Sequence, residues 1–226
     1  MPDRTLSHFS FLRFTRAHAK LDAATRQTLH EEFLAVLRGV AQRVEIYQVF
    51  PARGDVDILL WCAAGADQPA DTAEFLTHFA RAFNPFRRHL EPVETLFGLT
   101  RPSPYVPGKK PSGIDPLEGK RQRYLTVYPF VKTAAWYAMS REARQGMMNE
   151  HIKVGREYPD VDQMLLYSFG LQDQEFVVVY EMEDLSGYLQ LVNELRGTEG
   201  RRFTQRDTPI TTAVYHPAEE TLALWR

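Results

Sequence analysis

Cysteine is almost absent. The single one, Cys62, sits inside the apolar run Ile58-Leu59-Leu60-Trp61-Cys62. One thiol excludes an internal disulfide, which suits a reducing compartment, and it has no nearby partners for a structural zinc site. Long hydrophobic runs are also missing, since none approaches the ~20 residues that span a bilayer. The opening residues Met1-Pro2-Asp3-Arg4-Thr5 lack the apolar core of a signal peptide. A soluble, cytoplasmic protein with no membrane partner is expected. No charge sign dominates: 27 Lys and Arg against 29 Asp and Glu leave a net charge of −2, so a nucleic-acid partner with its usual basic stripe is not expected. The seven histidines form no HxxxH or HExxH set. No Gly-rich phosphate loop or nucleophile elbow is present, which leaves activated-serine or activated-cysteine catalysis without support.

What is present is a pattern of elements written twice. Phe9 to Phe14 is aromatic and strand-like. Asp22 can cap a following helix, in which Leu29, Phe33, Val36, Leu37 and Val40 recur at helical spacing. Val44 to Phe50 and Val56 to Cys62 flank the short turn Pro51 to Asp55 and read as a hairpin. A second helix carries Phe75, Leu76, Phe79 and Phe83 on one side, and a strand over Val93 to Thr100 closes the unit. The order β-α-β-β-α-β then returns: Tyr124 to Lys132, a helix capped by Ser140 and running to about Arg156, Gln163 to Phe169, Glu175 to Glu181, a helix marked by Leu185, Tyr188, Leu189, Val192 and Leu195, and Thr208 to Tyr215. Corresponding elements lie roughly 115 residues apart, without sequence identity between the halves.

This organisation predicts an α+β barrel of two ferredoxin-like repeats, residues 1–100 and 123–226, joined by a Pro/Gly-rich connection over 101–122. The two sheets are expected to pack face to face, with strand edges left free for self-association. The connection holds Pro102, Pro104, Pro107, Pro111 and Pro116 with Gly108, Gly113 and Gly119, so it is neither interior helix nor strand. It reads either as a mobile linker or as a loop lying over a pocket.

Two places could carry chemistry. His151 follows Met147 by four residues and Met148 by three, which puts it on or beside an apolar helix face. On periodicity this fits first a partly buried, hydrogen-bonded histidine; a single axial histidine on an apolar face is also what a haem iron needs. On a strand through Tyr124 to Thr133, Tyr128, Phe130 and Lys132 share one face. The ordinary reading is an aromatic core position beside a solvated lysine; a phenol and an ammonium there also suit a carboxylate substrate. Arg196, near a helix C-terminus, either serves the helix dipole or grips a carboxylate at two points.

From Tyr124 to about Thr212 the sequence resembles the chlorite dismutase family, which includes the coproheme decarboxylases. The carrying residues are Tyr128-Pro129-Phe130-Val131-Lys132-Thr133, Trp136-Tyr137, Met147-Met148-Asn149-Glu150-His151, Tyr167-Ser168-Phe169-Gly170-Leu171, Asp173, Glu175-Phe176, and Leu195-Arg196 with Thr198, Glu199 and Arg201. The resemblance implies an iron porphyrin, coproheme or haem b, in the C-terminal half, and a homopentamer. It implies that His151 is the metal ligand and Tyr128 the tyrosine that forms a radical. It further implies that Lys132, Arg196 and Tyr105 contact propionates. The distal position falls on Gln163, where chlorite-degrading members carry arginine; the resemblance therefore implies a coproheme decarboxylase with hydrogen peroxide as oxidant. The departures are Phe130, where decarboxylases often have methionine, and the length of the central loop. A haem peroxidase or weak chlorite-degrading enzyme, and a non-catalytic haem-binding or interaction protein, are the alternatives.

Overall fold

The computed structural model describes residues 4–106 and 113–226. Strand β1 (Thr5–Phe14) leads through a short helix α1 (Arg16–Ala19) to α2 (Ala23–Arg38). The Asp22 carboxylate caps α2 by accepting from the Thr25 amide, as its sequence position predicts. Helix α1 was not anticipated; the Thr15 hydroxyl starts it by accepting from the amides of Ala17 and His18. Strands β2 (Arg43–Gln48) and β3 (Ile58–Gly65) follow, then α3 (Asp71–Phe83) and β4 (Leu90–Leu99). The β2–β3 connection is longer than the expected turn, because the amides of Val49 and Phe50 both bond the Asp57 carbonyl instead of extending the ladder.

The second half runs β5 (Tyr124–Lys132), α4 (Ala134–Ala138), α5 (Arg141–Arg156), β6 (Val161–Tyr167), β7 (Phe176–Met182) and α6 (Leu185–Gly197). A short β8 (Thr204–Arg206), β9 (Thr211–Tyr215) and α7 (Ala218–Ala223) complete it. Ser140 caps α5, accepting from the Ala143 amide. Strand β9 starts later than Thr208, past Pro209, which has no amide to offer a ladder.

The two halves do not form separate sheets. The strands share one sheet in the order β7-β6-β4-β1-β3-β2-β9-β5, and β5 pairs back onto β7, so the sheet closes into a ring. Its seams are narrow: Leu99 opposite Tyr167 joins β4 to β6, and Tyr47 and Gln48 opposite Tyr215 and Val214 join β2 to β9. Closure removes the free edges that sequence reasoning expected, so edge pairing supplies no reason for self-association.

Alternation along the strands then sorts residues to two sides. Phe9, Phe11, Leu59, Trp61, Leu125, Val127, Met164, Leu166, Val177 and Val179 fill the barrel. Outside the N-terminal half, α2, α3 and α7 bury Phe33, Phe75, Phe83 and Phe86 against Leu6, Leu12, Leu60 and Leu90. The C-terminal half is covered more loosely. Its outer cluster has only Val178, Tyr180, Met182, Tyr188 and Leu191 buried, and α5 contributes no buried residue at all. No helix of the described residues is long and apolar enough to cross a membrane.

Candidate active site

Register fixes the floor of the site. Tyr128 lies opposite Val178, which lies opposite Leu165; Phe130 opposes Phe176, which opposes Tyr167; and Gln163 opposes Tyr180. These side chains therefore form three rows on the outer face of β5, β7 and β6, facing the loosely packed helical layer. Gln163 and Tyr128 stand two strands apart, roughly 10 Å laterally. Leu165 remains exposed on this face, as does Phe169, which packs on Tyr167 and Phe176.

Helix α5 covers the floor with a stripe of half-buried residues, Arg144, Met148, His151 and Gly155, at spacings of four, three and four. Burial lowers the His151 pKa, and the positive charge of Lys132 lowers it further. The imidazole is thus held neutral, the form a metal requires. Lys132 donates from Nζ to the Gly200 carbonyl at 3.0 Å, and its ammonium stands 4.4 Å from the Trp136 ring centre. Desolvation, and then the nearby Arg201, bring the Lys132 pKa down to about 8. The structure therefore joins His151 and Lys132, from a helix and a strand, in one electrostatic neighbourhood.

Tyr128 stacks beside Tyr180 with ring centres 6.4 Å apart, and Tyr180 lies 5.3 Å from Tyr188. Desolvation raises the Tyr128 pKa well above the usual value, and Tyr180, Tyr188 and the Asp207 carboxylate add to it. Its phenol is consequently neutral at physiological pH. Arg196 bonds Asp207 at 3.2 Å, and Arg201 bonds the same carboxylate oxygen. Tyr105 lies at the rim: its carbonyl accepts from Gln145 Nε2 at 3.2 Å, and its ring meets Trp136 edge-on at 6.5 Å. The connection's first part therefore lies over the helical layer instead of hanging free as a linker.

Several residues to which the sequence reading assigns no role take part. Glu175 accepts at one oxygen from the Lys132 amide, at 2.7 Å, and from the Tyr137 hydroxyl, so it clamps the end of β5 to α4. Asp207 sets the two arginines, and Arg144 has its Nε shielded from solvent with no partner among the described residues. Arg101 lies over the Tyr167 ring at 5.6 Å. Trp136, Tyr137, Glu175 and Arg201 stand among the residues that carry the family resemblance, without a role of their own, whereas Asp207, Arg144 and Arg101 have no such signal.

The chlorite dismutase family model matches residues 26–216, most of the chain. The chain belongs to the chlorite dismutase family. A coproheme decarboxylase from Mycolicibacterium smegmatis is 30% identical over 214 residues, 92% of this chain and 85% of that protein. One from Staphylococcus carnosus is 28% identical over 159 residues, 63% of this chain and 61% of its own length. A mutant chlorite dismutase from Candidatus Nitrospira defluvii superposes with a TM-score of 0.84 at 26% identity, over 98% of this chain and 95% of that one. As a member of the family the protein is a haem-dependent enzyme with iron porphyrin as its cofactor.

The residues present fit such a group. A porphyrin needs a flat apolar slot, a neutral imidazole on one face and cations at its edge for its carboxylates. Between α5 and the outer face of β5, β7 and β6 the chain offers a helix with nothing buried, a neutral His151, and the unpartnered Nε of Arg144.

Proposed function

We propose that the protein is a coproheme decarboxylase, converting iron-coproporphyrin III to haem b by peroxide-dependent oxidative decarboxylation of two propionates. The observation that supports it best is the distribution of cations around the slot. Lys132 stands beside His151, Arg196 and Arg201 cluster on Asp207 near Tyr128, Arg144 lies along α5, and Arg101 reaches Tyr167. Charges at several edges match a porphyrin with four carboxylates better than one with two.

Within this reading His151 ligates the iron, and Lys132, Arg196 and Tyr105 hold propionates. The bound iron porphyrin supplies the oxidising power of peroxide. Tyr128, neutral because buried, gives up its phenolic hydrogen as an electron and a proton, then takes a hydrogen atom from the propionate chain. Per round, one propionate, one hydrogen peroxide and one proton become one vinyl group, one CO2 and two waters. Lys132 neutralises the reacting carboxylate and, through its bond to Gly200, keeps it aligned with the phenol. Gln163 is a neutral amide where a guanidinium would hold an anionic oxidant, which favours decarboxylation over chlorite breakdown. A homopentamer belongs to this proposal on grounds of family resemblance, and a cytoplasmic location on the single cysteine, which suits a reducing compartment.

Mass spectrometry after adding coproheme and peroxide tests it: the product loses two CO2 units. Tyr128→Phe binds coproheme with unchanged affinity and releases none. Undiminished CO2 release by Y128F removes the tyrosine from the mechanism, and sustained oxygen evolution from chlorite favours the chlorite-degrading alternative.

A further inference from the structure

A second polar cluster lies inside the barrel, on the opposite face of β7 from the proposed porphyrin. Glu181 is 2% exposed, and the Arg121 side chain paired with it is 1% exposed, with 3.3 Å between Nη1 and Oε1. Tyr47 donates its hydroxyl to the same oxygen at 3.2 Å. The guanidinium lies over the Trp61 ring at 4.8 Å. An ion pair this dry seldom stabilises a fold more than apolar packing would, so its presence calls for another use.

The other arm of the guanidinium supplies one. Arg121 Nη2 donates to the carbonyls of Asp115 and Glu118, both at 2.6 Å, and so holds the last part of the connection closed on itself. Within that turn the Asp115 carboxylate accepts from the amides of Leu117 and Glu118. Ile114 plugs into the barrel core beside it. The segment then meets β6 twice. Gly113 bridges Gln163 in parallel register, and Gln122 Nε2 donates to Asp162 Oδ2 at 2.6 Å. Gly113 has φ +118°, and a Cβ there would stand 2.8 Å from the Gln163 amide nitrogen, so only glycine permits this approach. Asp162 and Gln163 are adjacent, with Asp162 opposite Glu181 and Gln163 opposite Tyr180.

We infer that Arg121 is a positioning residue of the active site: by tying residues 113–122 to Glu181 inside the barrel, it makes Gly113 fix the main chain of Gln163 and thereby aim that side chain into the slot. The functional importance of Gln163 rests on the reading given above; the mechanical link from Arg121 to β6 does not.

Amide hydrogen exchange on the full-length protein tests the link in three forms: wild type, Arg121→Met with Glu181→Met, and Gly113→Ala. The double variant keeps its melting temperature, because apolar groups replace the pair. Exchange at residues 114–122 and at Gln163 nevertheless accelerates by about ten-fold or more, the effect of a lost hydrogen bond or two, while β1 and β3 keep their protection. G113A leaves the Arg121 bonds in place and accelerates exchange at Gln163 and its neighbours. Wild-type protection at Gln163 in either variant overturns the inference. So does acceleration spread evenly over β1 and β3, since the pair would then support the whole barrel. With coproheme added, the double variant shifts the Soret band in the same direction as Gln163→Ala, and an unshifted band contradicts the aiming role. If wild type takes up no coproheme, the functional reading fails while the exchange result stands.

Discussion

Lys132 gathers more of the site's electrostatics than any other side chain. Its amide is held by Glu175, its ammonium by Gly200 and Trp136, and its charge acts on His151. With a pKa brought down to about 8, it is charged at neutral pH and loses its proton as pH rises through that value. Pairing with a propionate requires the charge. Coproheme affinity should therefore weaken as pH climbs from 7 to 9.5, and Lys132→Met should remove most of that slope while weakening binding at pH 7 by about ten-fold, roughly one charge-assisted hydrogen bond. A titration at several pH values checks this; a slope unchanged in K132M contradicts it. At this scale much was readable in advance. Tyr128 and Lys132 share a strand face by alternation, and His151 follows its methionines by a helical turn. The roles of Glu175, Asp207 and the Arg121–Glu181 pair were not readable, because each acts on a partner with no local spacing to it; Glu175 and Lys132 are 43 positions apart, Arg121 and Glu181 60.

Among the elements, the four main helices and most strands followed from periodicity and caps, while α1, α4 and α7 did not, each being too short for a periodic stripe. Helix α1 proves consequential. Its His18 meets His30 of α2 through Nε2 atoms 2.9 Å apart, with the rings stacked and Phe14 beside both. Burial is the first cause that lowers both pKa values from 6.5 to about 4, with the charge of Arg26 also acting on each, His30 and His89 on His18, and Arg226 on His30. One neutral imidazole donates to the other. The unfolded chain takes up protons between about pH 6.5 and 4 that the folded pair refuses, so this stabilisation is complete above pH 6.5 and is lost as pH falls through that window. Circular dichroism should show the melting temperature falling from pH 7 to 5, and falling less in a variant carrying His18→Leu and His30→Phe. An equal fall in that variant assigns the acid sensitivity elsewhere.

Across the whole molecule, one architectural unit appears twice with different fillings. In the N-terminal half phenylalanines close the space between helices and sheet; Phe33 meets Phe86 at 5.1 Å, and Phe79 stacks on Phe83 at 5.8 Å. In the C-terminal half the corresponding space is left to tyrosines, an imidazole and cations, and α5 stands off with no buried residue. The doubled order of elements was legible in the sequence. So was the α+β barrel they build; which strands meet to close it was not, since that depends on seams of one and two residue pairs joining distant strands. The loose half is the one where a flat apolar ligand would complete the core, and ligand binding would stabilise the fold accordingly. Resonance Raman of the ferrous coproheme complex, recorded for wild type and His151→Ala, tests that placement most directly. Wild type should show an iron–imidazole stretch, and H151A should lose it while the edge cations still retain the porphyrin; an identical stretch in both proteins would contradict His151 as the ligand.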